Sequence, residues 1–271
     1  MNPPLNRALA ARTWRAQRSR VALVCLALAG WSFLMLVVYA TFGRQLGLLL
    51  DTGIIPAPLL RLLGADPFSL TGAIALGWVH PIAIGLFVLF PLGLGAAMIA
   101  GERQRGTLEV LLSRPVSRRT LFLTHLATLA AIALLTVVAA LAGTILGALA
   151  WGIAVELDPG RMAILGLNTW LFLVALASIA LAASASFDRM AGPVGIVIAL
   201  LLVGYLLEVL GTLWPDAAFL QPLTPFHYLR PLEVLGGRQV RVDMAVLAVL
   251  AVAATGYGLW AFPRRDLAAP S

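Results

Sequence analysis

Residues 120–155 read TLFLTHLATLAAIALLTVVAALAGTILGALAWGIAV, thirty-six consecutive positions without an Asp, Glu, Lys or Arg. A helix needs about 20 apolar residues to cross ~30 Å of hydrocarbon. The stretch is long for one crossing and short for two with a turn, so it predicts one long span whose far end carries Gly143 and Gly147. Five further charge-free runs flank it: 21–43, 67–101, 162–187, 190–207 and 244–263. Each holds one span, provided the run from 190 continues past Glu208 to about Leu213. Pro81 and Pro91 inside the second run predict kinks, because proline removes a helical hydrogen bond and crowds the preceding turn. The pattern predicts an all-α, polytopic membrane protein of six transmembrane helices, one domain over 1–271 with no internal repeat.

Composition supports a membrane and excludes several chemistries. Of 271 residues, 61% are apolar and 11% charged, against about 25% charged in soluble domains. All 19 basic residues are arginine. Without lysine the chain cannot be a P-loop ATPase or a Schiff-base enzyme. The one cysteine, Cys25, excludes an internal disulfide and a cysteine-based zinc site. His80, His125 and His227 are scattered, form no metal set, and read as hydrogen-bonded structural residues. Neither a Gly-x-Ser-x-Gly elbow nor a His-Glu-x-x-His motif is present. Glu102 and Glu109 would lie about 10 Å apart along a helix, too far for a shared acid–base centre. The chain is read as non-catalytic.

Arginine placement predicts orientation. With the N-terminus inside, 13 arginines fall in inner segments and 6 in outer ones, so both termini are expected in the cytoplasm. The net charge of +7 is read as this topology signal beside anionic lipid, not as nucleic-acid binding. Ala27-Leu28-Ala29 after an arginine-rich start resembles a signal-peptide site, but the apolar run continues through Trp31, Phe33, Leu36 and Val38, favouring an uncleaved span. Residues 1–20 read either as a cytoplasmic interfacial helix, with Arg7, Arg15 and Arg18 opposite Leu5, Leu9 and Ala16, or as a disordered basic tail. The outer segments 43–73 and 214–243 are too apolar for free loops. They are expected to lie along the interface or to dip into the protein.

The inner loop 101–119 reads GERQRGTLEVLLSRPVSRR. On a helical projection Gln104, Leu108, Leu111 and Leu112 share a face, Glu102 and Glu109 share a flank, and Pro115 ends the helix. The plain reading is a surface helix on the inner leaflet. The loop also resembles that of type-2 permeases of ATP-binding-cassette (ABC) transporters, through Glu102, Gly106-Thr107-Leu108-Glu109, Leu111-Leu112-Ser113 and Pro115-Val116-Ser117-Arg118. Phe262-Pro263-Arg264-Arg265-Asp266-Leu267 and Pro225-Phe226-His227-Tyr228 resemble further family segments. One departure is Thr124-His125, where members commonly carry Gly-Lys.

The resemblance implies that 102–117 forms a coupling helix docking on separate ATPase subunits. Glu102, Gly106, Thr107, Leu108, Glu109, Leu111, Leu112, Ser113 and Pro115 are then the coupling residues. It further implies an exporter in the bacterial plasma membrane, with two permeases (this chain twice, or with a relative) and two ATPases. This chain would bind no cofactor, ATP and Mg belonging to the ATPase. One alternative is a related assembly for maturation of an extracytoplasmic metalloenzyme; another class is an intramembrane enzyme acting on lipid or peptide. Candidates for the translocation path are Glu208 and His80. Glu208 is the lone acid within a proposed span, and such an acid is a functional candidate by default. Its place near the helix end favours snorkelling to the interface or pairing with an outer arginine. Burial without a partner would be costly, so Tyr205 or an outer arginine is expected nearby.

Overall fold

The computed structural model of the chain describes residues 5–51, 69–113 and 116–265, with the side chains of 44–51, Glu109 and Leu112 outside that description. Pro115, part of the expected coupling set, and Asp266-Leu267 of the C-terminal motif therefore lie outside the described residues. The described chain is mostly helical, with no strand among the described residues. In order come α1 (Arg7–Asp51), α2 (Leu70–Val79), α3 (Pro81–Met98), α4 (Ala100–Gln104), α5 (Thr107–Leu112), α6 (Arg118–Ala150), α7 (Pro159–Ser186), α8 (Ala191–Leu213), α9 (Pro231–Leu235) and α10 (Arg241–Arg264). Six of them, α1, α3, α6, α7, α8 and α10, are long and apolar enough to cross a membrane.

Two expected outlines change. The second span is broken, not merely kinked. His80 adopts ψ 141°, so α2 ends at Val79 and α3 starts afresh at Pro81. A residue before proline is pushed from the helical region to extended backbone, and Pro81 then occupies a first-turn position where its missing N–H is harmless. The His80 imidazole completes the joint: its Nδ1 accepts the Ile82 N–H at 3.3 Å, and its ring lies 4.9 Å from that of Trp31. The second change is at the N-terminus. Neither Pro nor Gly interrupts residues 7–29, and the expected surface helix runs unbroken into the first span as part of α1. Asn6 caps it, accepting the Leu9 N–H on its side chain, and the Asn6 N–H donates to Thr124 Oγ1 of α6 at 2.9 Å.

Helix α7 is the centre of the bundle. Two-thirds (67%) of its most apolar stretch is buried, against 17% for α8, and it packs on α3, α6, α8 and α10. Its buried side alternates large and small residues, Phe172 and Leu173 with Ala177 and Ala180. Thr124, Thr128, Thr144 and Thr169 send their hydroxyls back to the carbonyl four residues earlier, which satisfies a polar group inside an apolar bundle. Helix α1 lies along α6. A Cβ on Gly143 would fall 2.1 Å from the Ala29 carbonyl oxygen, and one on Gly147 2.8 Å from Leu36 Cβ. The two glycines, four apart, let the backbones touch, as small residues do where membrane helices cross.

The segment after α8 enters the bundle. Phe226 sits between Phe172 and Tyr205, with ring centroids 5.2 and 5.9 Å away. Asn168, fully buried on α7, fastens the segment: its Nδ2 donates to the Tyr228 carbonyl at 3.0 Å, and its Oδ1 accepts the Arg230 N–H at 3.1 Å.

Candidate functional site

At one end of the bundle, segments far apart in sequence meet. Between α4 and α5 the chain reverses through Gly106, whose φ of +71° is a left-handed conformation that a Cβ disfavours. Thr107 Oγ1 donates to the Glu102 carboxylate and lies 3.1 Å from the Glu102 carbonyl. The same carboxylate meets Arg105 at 3.2 Å and Arg12 of α1 at 3.8 Å. Glu102, Gly106 and Thr107 therefore shape one turn and tie it to the first helix.

That turn corrects the single-helix projection. Because the helical phase restarts after Gly106, Gln104 and Leu108 no longer share a face. Gln104 accepts the Met190 N–H at 2.9 Å. Leu108 points inward and is 2% exposed, in a cluster with Leu121, Phe122, Leu181 and Phe262. Leu111 is half-buried beside Leu9 and Arg12. Val110, 64% exposed, and the exposed Ser113 face outward instead. Leu108 is thus an anchor of α5 on its own bundle, not an outward-facing contact.

Three more ties complete the platform. Ser184 Oγ on α7 accepts the Ile99 and Ala100 N–H groups at 3.1 and 2.9 Å and donates to the Ala96 carbonyl at 2.7 Å. It replaces the bonds lost where α3 gives way to α4. Asp188, between α7 and α8, takes Arg103 at 2.8 Å and also pairs with Arg265. Arg118 at the start of α6 donates to the carbonyls of Phe262, Pro263 and Arg265. It caps the end of α10, where the helix dipole favours a cation. The loop motif and the C-terminal arginines, more than 140 residues apart, are therefore direct neighbours. The sequence motifs cover the loop and the C-terminal arginines but not Ser184 or Asp188, a lone serine in an apolar run and a single loop acid that belong to no motif.

At the opposite end, α2, α3, α8 and the segment 226–233 enclose a cavity of about 480 Å³. His80 and Glu208 both line it, with Tyr205, Phe226, Arg230 and Glu233. Among the described residues, the Glu208 carboxylate forms no ion pair with an arginine. One oxygen is shielded from solvent and has no hydrogen-bond partner among the described residues, and the ionisable group it meets there is His227, with Nδ1 at 3.6 Å. His227 in turn contacts Arg230 at 2.6 Å, and Arg230 is held by Glu233 at 3.2 Å and Asp243 at 3.7 Å. Burial, and then the Arg230 guanidinium, pull the His227 pKa below its ordinary value. At neutral pH the imidazole is uncharged, so Glu208 faces a dipole instead of a counter-ion. Among the described residues, no group of three His, Cys, Asp or Glu is placed to hold a metal ion.

A family model described as ABC-2 family transporter protein matches residues 15–267. No curated protein matches the chain.

Proposed function

The chain belongs to the ABC-2 transporter family, and from that premise we propose that it forms the translocation path of an exporter driven by separate ATPase subunits, which dock on the segment 102–117. The observation that carries this reading is the platform at the Glu102 end. Helices α4 and α5 are fastened to α1 through Arg12, to the α7–α8 connection through Gln104 and Arg103, and through Asp188 to Arg265 at the end of α10. A displacement of α5 therefore moves four spans together. Closure of an ATPase pair on bound ATP and Mg would draw two such platforms towards each other and re-tilt the spans, a rigid-body switch between packed arrangements. The second permease is another copy of this chain or a relative, and the assembly sits in a bacterial plasma membrane with the platform in the cytoplasm. His80 and Glu208, facing one cavity at the far end, line the path there.

The outward residues of α5 test the docking. Val110→Arg places a charge in the subunit contact without touching the chain's own core, and an unpaired buried charge weakens such a contact by several kcal/mol. Membrane insertion and thermal stability should stay as in the parent, while copurification of the cognate ATPase and its hydrolysis in lipid vesicles fall. Leu108→Ala should do the reverse, lowering the chain's own stability by about 2–5 kcal/mol. Unchanged ATPase binding and turnover for Val110→Arg would defeat the coupling role.

A further inference from the structure

A second cavity, of about 510 Å³, opens between the first turns of α1 and the last turns of α3, beside the Glu102 turn. Its lining is divided by chemistry. Towards α3 it is apolar, with Leu89, Phe90, Leu94 and Met98. Leu89 and Met98 are nine positions apart, about 13 Å along the helix. Towards α1 it is basic: Arg12, Arg20 and Arg105 line it with one described acid, Glu102, which already meets Arg105 and Arg12. Arg20 reaches no acid among the described residues; its guanidinium lies 3.5 Å from Gln17 Oε1.

His125 also lines the cavity. Its side chain is almost wholly shielded, at 5% exposure, yet neither Nδ1 nor Nε2 has a hydrogen-bond partner among the described residues. A neutral imidazole carries one N–H donor and one acceptor, and buried polar groups are nearly always satisfied. Cationic charge in excess of the one described acid and an unpartnered imidazole thus line the same cavity, next to a strip of apolar wall. We infer that this cavity binds the phosphate headgroup of an anionic membrane lipid, with Arg12, Arg20 and Arg105 as counter-charges, the His125 N–H on a phosphate oxygen, and an acyl chain along α3. Basic pockets between spans hold anionic headgroups by this combination of charge and apolar wall. The inference does not depend on ATPase docking.

Native mass spectrometry of the full chain released from detergent tests it, with phosphatidylglycerol, phosphatidylcholine and inorganic phosphate as probes. Phosphatidylglycerol should be retained over phosphatidylcholine, and Arg20→Gln should weaken its binding about fivefold, the share of one arginine beside an anionic lipid. His125→Leu should weaken it too. Should that variant fail to fold, Arg20→Gln, an exposed position, carries the test alone. Equal retention of the two lipids, or phosphatidylglycerol binding untouched by Arg20→Gln, would overturn the proposal. Retention of inorganic phosphate without phosphatidylglycerol would overturn the lipid assignment and leave a free-anion site.

Discussion

Glu208 stands out in the sequence because a carboxylate interrupts an apolar run, but its neighbour could not be read there. His227 belongs to a separate segment, and only the entry of Phe226 between Phe172 and Tyr205 brings it within 3.6 Å. Tyr205 and the outer Arg230, expected near Glu208, line the same cavity, but the direct contact is His227, with Arg230 behind it. This arrangement has a pH signature. The His227 pKa in the folded chain lies below its ordinary value of 6.5, so the unfolded chain takes up the proton first as the medium is acidified. The stability contributed by neutral His227 is complete above about pH 6.5 and is lost as the pH falls below it. The groups around it, Glu208, Arg230, Glu233 and Asp243, remain in His227→Gln. Unfolding of the purified parent should move to lower temperature between pH 7 and pH 5, with a smaller shift in His227→Gln. Equal shifts in the two proteins would remove His227 as the cause. Gly106 was legible as part of a motif, while its reason, a left-handed φ between two short helices, is a backbone property that the letter alone does not reveal.

At the level of elements, charge spacing marked the spans well because a charged side chain in hydrocarbon is expensive and so stays at helix ends. Breaks inside the spans were harder to read. Pro81 and Pro91 look alike in sequence, yet Pro91 stays within α3 while Pro81 begins it. The difference lies in His80, whose side chain caps the new helix. The 102–113 projection failed for a related reason: it assumed one continuous helix, and a single positive-φ residue reset the phase and turned Leu108 inward. The α1–α6 crossing was foreshadowed only as a glycine-rich end. It can be tested by crowding. Gly143→Ala drives a Cβ into the Ala29 backbone, which no rotamer change relieves, and should lower stability by about 1–3 kcal/mol. Gly30→Ala has nothing within 4 Å of the added carbon and should leave stability unchanged or slightly raised, as alanine is the better helix former. Thermal midpoints of the two variants in one detergent compare them directly. A fall as large for Gly30→Ala as for Gly143→Ala would mean that the close crossing at Ala29 does not set the response.

For the whole molecule, the structure places Arg12, Glu102, Asp188 and Arg265 at one end and Glu208, Arg230 and Asp243 at the other, so the inner and outer sets inferred from charge remain separate groups in space. Which end faces the cytoplasm rests on the 13-to-6 arginine asymmetry, since positively charged flanks are retained inside during insertion. The geometry adds well-exposed reporters. Ser113 lies beyond α5 at the first end, and Gln239 lies exposed between α9 and α10 at the second. Cys25, half-buried in α1, is first replaced by alanine to clear the background. In intact cells an impermeant thiol reagent should then label Gln239→Cys and leave Ser113→Cys unmodified until the membrane is permeabilised. The two readouts are complementary, because a protein that merely failed to insert would expose both sites or neither. Labelling of Ser113→Cys from outside, with Gln239→Cys protected, would invert the molecule. It would place α5 where no cytoplasmic ATPase could reach it and would take the docking proposal down with the orientation.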